Sequence, residues 1–268
     1  MQDTGLRTAA SADGTRIAYE AIGSGPPLIV VVGAFNDRHT GSALAAAMSD
    51  EFSVYIYDRR GRGDSGDTQP YDVDREVDDL RAVLLAAGGH AAVLGFSSGA
   101  ALALNAAVAL PIEKLIMFGP PIVTDGSRPQ VPENLAARVK ALVGQGQRGE
   151  AVELFQLEAI GMPPSVVEKM RHAPFRPGLE AMAHTLFYDL SVTAEASDID
   201  RLLPLISMPT LVLAGADGPG WIRAAAAEIA RRLPDGRHVS IEALGQDLDA
   251  DRIAPLVSDF LINASGTS

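Results

Sequence analysis

Gly95-Phe96-Ser97-Ser98-Gly99 constrains this chain more than any other stretch. Before it, Ala91–Leu94 is a short apolar run that reads as a buried strand. After it, Ser98 to about Ala109 is small and apolar almost all round, which reads as a buried helix. A chain that passes from strand to helix here must turn sharply at Ser97. Glycine two residues to either side lets that turn lie close to its neighbours. The serine is then held in strained geometry over the sheet edge. The Ser98 amide, at a helix N-terminus, points to where charge on a bound oxygen would develop. A bare G-x-S-x-G is a weak signal; strand and helix in these places make it strong.

The flanking segments extend the pattern. Leu6–Ala10 and Arg16–Ala21 surround Ala12-Asp13-Gly14 and read as a hairpin. Pro27–Val32 and Phe52–Tyr57 are apolar runs with the two-sided burial of parallel strands covered by helices. Ser42–Met48 reads as a short helix. Val73–Ala87 has helical spacing, with Val77, Leu80, Val83 and Leu84 on one face. Lys114–Phe118 is a further strand. Asp125–Asp200 then holds helices around Glu133–Val143, Glu150–Glu158, Ser165–Arg171 and Leu179–Leu186, with no convincing strand. Alternation resumes through Thr210–Ala214, Gly220–Arg232, His238–Ile241 and Arg252–Leu261, before a tail, Asn263–Ser268, expected to fray. The predicted fold class is therefore α/β, a doubly wound, mostly parallel sheet, with residues 1–124 and 201–268 as its core and 125–200 as a helical cap.

Composition removes several function classes. A net charge of −12 repels phosphate backbones and anionic membrane surfaces, so neither nucleic acid nor membrane is an expected partner. The chain has no cysteine, which excludes disulfides, thiolate metal sites and a cysteine nucleophile. No apolar run is long enough to span a bilayer, and the first residues lack a secretory leader's apolar stretch, so a cytoplasmic location is expected. The histidines are scattered and no G-x-G-x-x-G follows a strand, so neither metal nor other cofactor is expected. A homodimer is left open.

On two motifs the chain resembles the α/β-hydrolase fold superfamily of esterases, lactonases, haloperoxidases and epoxide hydrolases. One is the elbow at Gly95–Gly99; the other is Asp58-Arg59-Arg60-Gly61-Arg62-Gly63-Asp64-Ser65. The resemblance covers Gly14 to Leu261. Within it, Gly33-Ala34-Phe35-Asn36-Asp37-Arg38 and Ala183-His184-Thr185-Leu186 look like actinobacterial members with mostly unassigned functions. The resemblance implies Ser97 at the nucleophile position and an oxyanion hole from the Ala34 and Ser98 amides. Residues expected to contact substrate are Phe35, Asn36, Phe96, Phe187, Trp221 and Gln246. Methionines and aromatics of the cap favour an apolar small-molecule substrate. Asp58 is expected to organise loop amides, and the arginines beside it to be surface or loop-bracing groups.

The pattern breaks at the base. A serine triad needs a histidine to take the Oγ proton and an acid to orient it. The superfamily places that histidine between the last strand and the final helix. Here that loop is Glu242-Ala243-Leu244-Gly245-Gln246-Asp247-Leu248-Asp249-Ala250, with Gln246 nearest the expected place. A neutral amide is no general base. Asp217 is the nearest acid, one residue short of the commonest spacing; the alternative position, Gly119-Pro120, has no carboxylate. His184 in the cap, or less favourably His39, is a candidate replacement base, with Asp37, Asp247 or Asp249 as carboxylate alternatives. The catalytic candidates are thus Ser97, Asp217 and His184.

Three functions follow. In the first, a retained oxyanion hole acts on an apolar carbonyl compound (an ester, lactone or polyketide-like molecule) without an acyl-enzyme. The chemistry would be elimination, cyclisation, isomerisation or C–C/C–O cleavage, as in tailoring enzymes of secondary metabolism on this fold. In the second, a serine esterase or lactonase uses a relocated base. In the third, the pocket binds a small molecule without turnover.

Overall fold

The structure is a computed structural model that describes residues 5–128 and 130–263; residues 264–268 of the expected frayed tail lie outside the described residues. The chain opens with β1 (Arg7–Ala10), β2 (Arg16–Ile22) and β3 (Pro27–Val31), then α1 (Ser42–Met48) and β4 (Ser53–Tyr57). There follow α2 (Val73–Ala86), β5 (Ala91–Phe96), α3 (Ser98–Ala107) and β6 (Ile112–Phe118). A run of helices comes next: α4 (Leu135–Gly144), α5 (Arg148–Leu154), α6 (Pro164–Met170), α7 (Arg176–Ala181), α8 (Leu186–Ala196) and α9 (Ile199–Leu202). The chain ends in β7 (Thr210–Gly215), α10 (Gly220–Arg232), β8 (Gly236–Ile241) and α11 (Ala250–Asn263).

The eight strands form one sheet in the order β1-β2-β4-β3-β5-β6-β7-β8. β1 and β2 are antiparallel at one edge, and β4 through β8 run parallel. Local chemistry supports each element. The Asp72 side chain accepts the Asp74 amide and caps α2, whose Val73, Val77, Leu80 and Val83 form its buried stripe. β3 and β5 are apolar throughout because helices cover both sides of the sheet. One face buries α2, α3, α8 and α10 through residues such as Leu80, Leu104, Val192 and Ile229. The other buries α1 and α11 through Leu44, Met48, Ile253 and Phe260. β3 has β4 on one side and β5 on the other. The connections leaving the C-terminal ends of β3 and β5 therefore diverge, and open a crevice where α/β sheets bind ligands. Ser97 follows β5 and Gly33 follows β3 closely, so both stand at that crevice. Among the described residues no helix is long and apolar enough to cross a membrane.

The helices between β6 and β7 have a small core of their own, made by Leu135, Val139, Ala151, Val152, Phe155, Ala183, Leu186 and Leu190. Ala34 and Phe35 pack against it from the loop after β3. Two helical expectations change here. The single helix expected over Glu150–Glu158 is α5 followed by a π-turn, Phe155–Ile160, which stops at Gly161 with φ 79°. The helix expected over Leu179–Leu186 breaks near Met182, and a further helix, α8, starts at Leu186. Phe, Tyr, Val and Thr give α8 modest intrinsic propensity, so its helicity depends on packing. Its Leu186 and Leu190 enter the small core, while Val192 and Ala196 enter the main one. The Asn105 side-chain amide donates to the Val192 carbonyl at 3.0 Å and fastens α8 to α3.

Candidate active site

Ser97 has φ 55° and ψ −125°, a conformation costly for a residue with a side chain. Its neighbours impose it. The Ser97 amide donates to the Phe118 carbonyl at 2.9 Å, and the Ala100 amide donates to the Ser97 carbonyl at 2.8 Å. A Cβ on Gly95 would sit 2.5 Å from Ala100 Cα, and one on Gly99 would sit 2.8 Å from the Val31 carbonyl carbon. The two motif glycines therefore let α3 cross β3 and β5 at backbone contact. Gly33 plays a related part: a Cβ there would lie 2.8 Å from Ser97 Cβ and 3.3 Å from Ser97 Oγ. The Ser98 amide opens α3, so it has no helical carbonyl to bond. Among the described residues, the Ala34 and Phe35 amides donate to no protein acceptor, and Ser97 Oγ makes no hydrogen bond. The loop after β3 and the start of α3 thus offer free amides at the crevice, as an oxyanion hole requires.

Beneath these amides runs a buried ion network. Arg62 donates to the Gly33 carbonyl at 2.5 Å and to the Asn36 carbonyl at 3.4 Å, bracing the loop from below. Its other terminal nitrogen meets Asp189 at 2.7 Å, and its Nε meets Thr185 Oγ1 at 3.2 Å. Asp189, on α8, also accepts from Arg59 at 2.7 Å and from the Ser98 hydroxyl at 2.7 Å. Arg59 forms a second, two-pronged pair with Glu76 at 2.8 Å in each arm, and Glu76 accepts the Tyr71 hydroxyl at 2.8 Å. Arg59, Arg62, Glu76 and Asp189 are each at most 2% exposed. Burial alone would raise the Asp189 carboxyl, but Arg62 and Arg59 outweigh it and hold the group below its ordinary value. Burial likewise pushes the Tyr71 phenol upward, so it remains a donor to Glu76. Ser98 thus opens α3 with its amide and is anchored in the network by its hydroxyl.

This corrects part of the expectation for the Asp58–Ser65 loop. Arg59, Arg60 and Arg62 brace the structure but none lies at the surface; Arg60 is buried against Asp79 with contacts of 2.7 Å in both arms. Asp58 organises its loop as expected, accepting the Arg38 amide at 2.8 Å and the Asp64 amide at 2.9 Å.

The opposite side of Ser97 is sparsely equipped. Gln246 donates to the Gly119 carbonyl at 3.1 Å. Gly119, at φ 60°, directly follows Phe118, whose carbonyl holds the Ser97 amide; a side chain at 119 would collide with the Gln246 head. Gln246 Oε1 is buried without a partner among the described residues. His184 does not serve Ser97: its Nε2 lies 2.9 Å from the Gly61 carbonyl and its Nδ1 3.1 Å from the Ala181 carbonyl, so both ring nitrogens face carbonyls. His39 is exposed, with its own amide tied to Asp37. His90 pairs with Glu113 at 2.9 Å at the far end of the sheet, and His172 and His238 are exposed. Asp217 is exposed; its amide bonds the Leu244 carbonyl at 2.9 Å, while its carboxylate has no partner among the described residues. Of the three catalytic candidates the structure thus brings none into hydrogen bonding with another.

The expected substrate contacts divide. Phe35, in a left-handed conformation at φ 61°, and Asn36 flank the free amides. The Asn36 side chain donates to the Ala34 carbonyl at 2.6 Å, stiffening that turn. Phe96 is packed in the core: it is 6% exposed and stacks on Phe118 at 5.5 Å. Phe187, on α8, packs edge-on against Tyr71 at 5.4 Å beneath Lys140. Trp221 lines a cleft with Arg128. Among the described residues no three His, Asp or Glu side chains converge as metal ligands.

Comparison with known proteins identifies the family. The family model described as "Alpha/beta hydrolase family" matches residues 22–255. A crystal structure of an alpha/beta hydrolase from Sphaerobacter thermophilus has a TM-score of 0.90 at 47% identity, covering 95% of this chain and 100% of that one. N-formylmaleamate deformylase from Pseudomonas putida is 26% identical over 262 residues, 94% of each chain. The 2-(acetamidomethylene)succinate hydrolase of Mesorhizobium japonicum is 26% identical over 223 residues, 80% of this chain and 78% of that protein. The chain belongs to the α/β-hydrolase family and is an enzyme of that superfamily.

Proposed function

We propose that this enzyme polarises the carbonyl of a small-to-medium substrate in its oxyanion hole and turns it over without an acyl-enzyme on Ser97. The observation that carries this reading is the isolation of Ser97 Oγ, which has no imidazole or carboxylate partner among the described residues. A serine hydroxyl without a base stays protonated and serves as a hydrogen-bond donor. Each amide aimed at a developing oxyanion contributes about 3–4 kcal/mol. Such a site suits elimination, cyclisation, isomerisation or C–C/C–O cleavage, with solvent or a group on the substrate moving the proton. A second reading is a serine esterase or lactonase with a relocated base; the relatives' names favour it only in being those of hydrolytic enzymes.

A fluorophosphonate probe separates the two. Slow or absent labelling of Ser97, with substrate turnover retained in Ser97→Ala, is the expected result. Rapid stoichiometric labelling of Ser97 that disappears in His184→Ala would overturn the first reading in favour of the second.

A further inference from the structure

The loop between β6 and α4 and the start of α10 both lie beyond the C-terminal ends of the strands, the end of the sheet that carries Ser97. There the Arg128 guanidinium carbon stands 4.7 Å from the centroid of the Trp221 ring. Arg128 Nη1 donates to the Ala159 and Ile160 carbonyls at 3.1 and 3.2 Å, and Nη2 to the Glu158 carbonyl at 2.9 Å. These bonds cap the end of the π-turn and use Nη1 and one hydrogen of Nη2. Nε, which shares an edge of the guanidinium with Nη2, donates to nothing among the described residues. The same residue lines a cleft of about 370 Å³ together with Gln130, Pro132, Leu157 and Trp221. Glu158 also borders it, but its carboxylate is engaged by Arg138 at 2.6 and 2.7 Å.

The contrast with the interior arginines is informative. Arg59, Arg60 and Arg62 each meet a carboxylate. Arg128 is half-buried, its partners among the described residues are carbonyls and a ring, and burial pulls its affinity for a proton down. A helix-end cap explains the carbonyl bonds, and a lysine would serve that purpose. It explains neither the aromatic platform nor the unused fork beside a cleft.

We propose that Arg128 and Trp221 form a carboxylate-binding site, so that the carbonyl compound acted on at Ser97 carries an acid group. The side edge of Arg128 takes the carboxylate in two parallel hydrogen bonds, and Trp221, Leu157 and Pro132 hold the apolar stem beside it. This rests on the proposed function for the link to Ser97, but the binding site itself does not require it.

Trp221 is the single tryptophan of the chain, so its fluorescence reports on the cleft alone. Hexanoate and its neutral isostere hexanamide, titrated at constant ionic strength into the parent enzyme and Ser97→Ala, test the site. Hexanoate should bind saturably in both, at least about 10-fold more tightly than hexanamide. Arg128→Gln should remove that preference, and Arg128→Lys should lose most of it, because an ammonium lacks the fork. Hexanoate binding no better than hexanamide, or as well in both variants as in the parent, overturns the site. If Arg128→Gln melts because the π-turn loses its cap, Arg128→Lys, which still reaches the carbonyls, decides alone. Rapid fluorophosphonate labelling of Ser97 would defeat the proposed function while leaving the titration intact; a failed titration would leave the Ser97 reading standing.

Discussion

The two sides of Ser97 are built to different standards. On the side of the loop after β3, every buried charge is answered: Arg62 supports the Gly33 carbonyl, Asp189 joins Arg62, Arg59 and the Ser98 hydroxyl, and Glu76 closes the chain. On the side of Gly119, a single amide hydrogen bond fixes Gln246, its oxygen has no partner, and Asp217 stands exposed. The first side holds the Ala34 and Phe35 amides, which donate to no acceptor among the described residues. The second is where a triad enzyme keeps the groups that move its proton. A saturated network in a dry interior is costly to disturb, whereas a sparsely bonded corner changes cheaply. The side toward the loop after β3 is thus held by a closed ion network, whereas the side of Gly119 brings no imidazole or carboxylate into hydrogen bonding with Ser97 among the described residues.

The largest effect that tests this contrast is at Asp189. Replacing it by Ala leaves Arg59 and Arg62 buried without their shared anion, and should cost about 3–5 kcal/mol in urea unfolding, with loss of turnover. The pH dependence of Asp189→Asn sharpens the point. Because the native carboxyl titrates below 3.8, its contribution is complete above that value and is lost as pH falls through the native one. The stability gap between parent and Asp189→Asn should therefore be widest above pH 3.8 and narrow below it. A gap that widens on acidification would break the assignment.

On the sparse side, Gln246→His supplies an imidazole where the superfamily keeps one. Fluorophosphonate labelling of Ser97 should accelerate on the order of 10-fold, below the full worth of a general base because nothing orients the ring. No acceleration would mean that the corner lacks more than a base. His184→Ala should cost about 1 kcal/mol, through its contacts with the Gly61 and Ala181 carbonyls, and leave labelling of Ser97 unchanged. The smallest effect is expected at Asp217→Ala, within about 0.5 kcal/mol by thermal denaturation, since its carboxylate is exposed and unbonded. A large activity loss there with unchanged stability would put Asp217 back among the catalytic groups.

Legibility in the sequence followed the range of the forces involved. The strand-to-helix turn at Ser97 was readable because its requirements are local: glycines where backbones touch, small residues in α3, a fully apolar strand before it. That the loop between β8 and α11 holds no histidine was readable for the same reason, since the loop's place is fixed by the order of elements. Helix α8 was not, because Phe187, Tyr188, Val192 and Thr193 carry weak helical preference and only packing against α3 settles them. Asp189 was lost with it; a carboxylate inside an apolar run was the one signal that could have marked a buried ion partner.

By itself, then, the sequence determined the doubly wound sheet and the strained strand-to-helix turn at Ser97, and it carries no histidine between β8 and α11. Tertiary structure alone decided that the arginines of residues 58–65 lie inside, that Asp189 joins them across more than 120 positions of chain, that His184 is spent on carbonyls, and that Arg128 meets Trp221. Periodicity and turn chemistry act over a few residues and leave their mark in the local order of amino acids. A buried charge pair depends on which distant segments meet, and nothing in either segment names its partner.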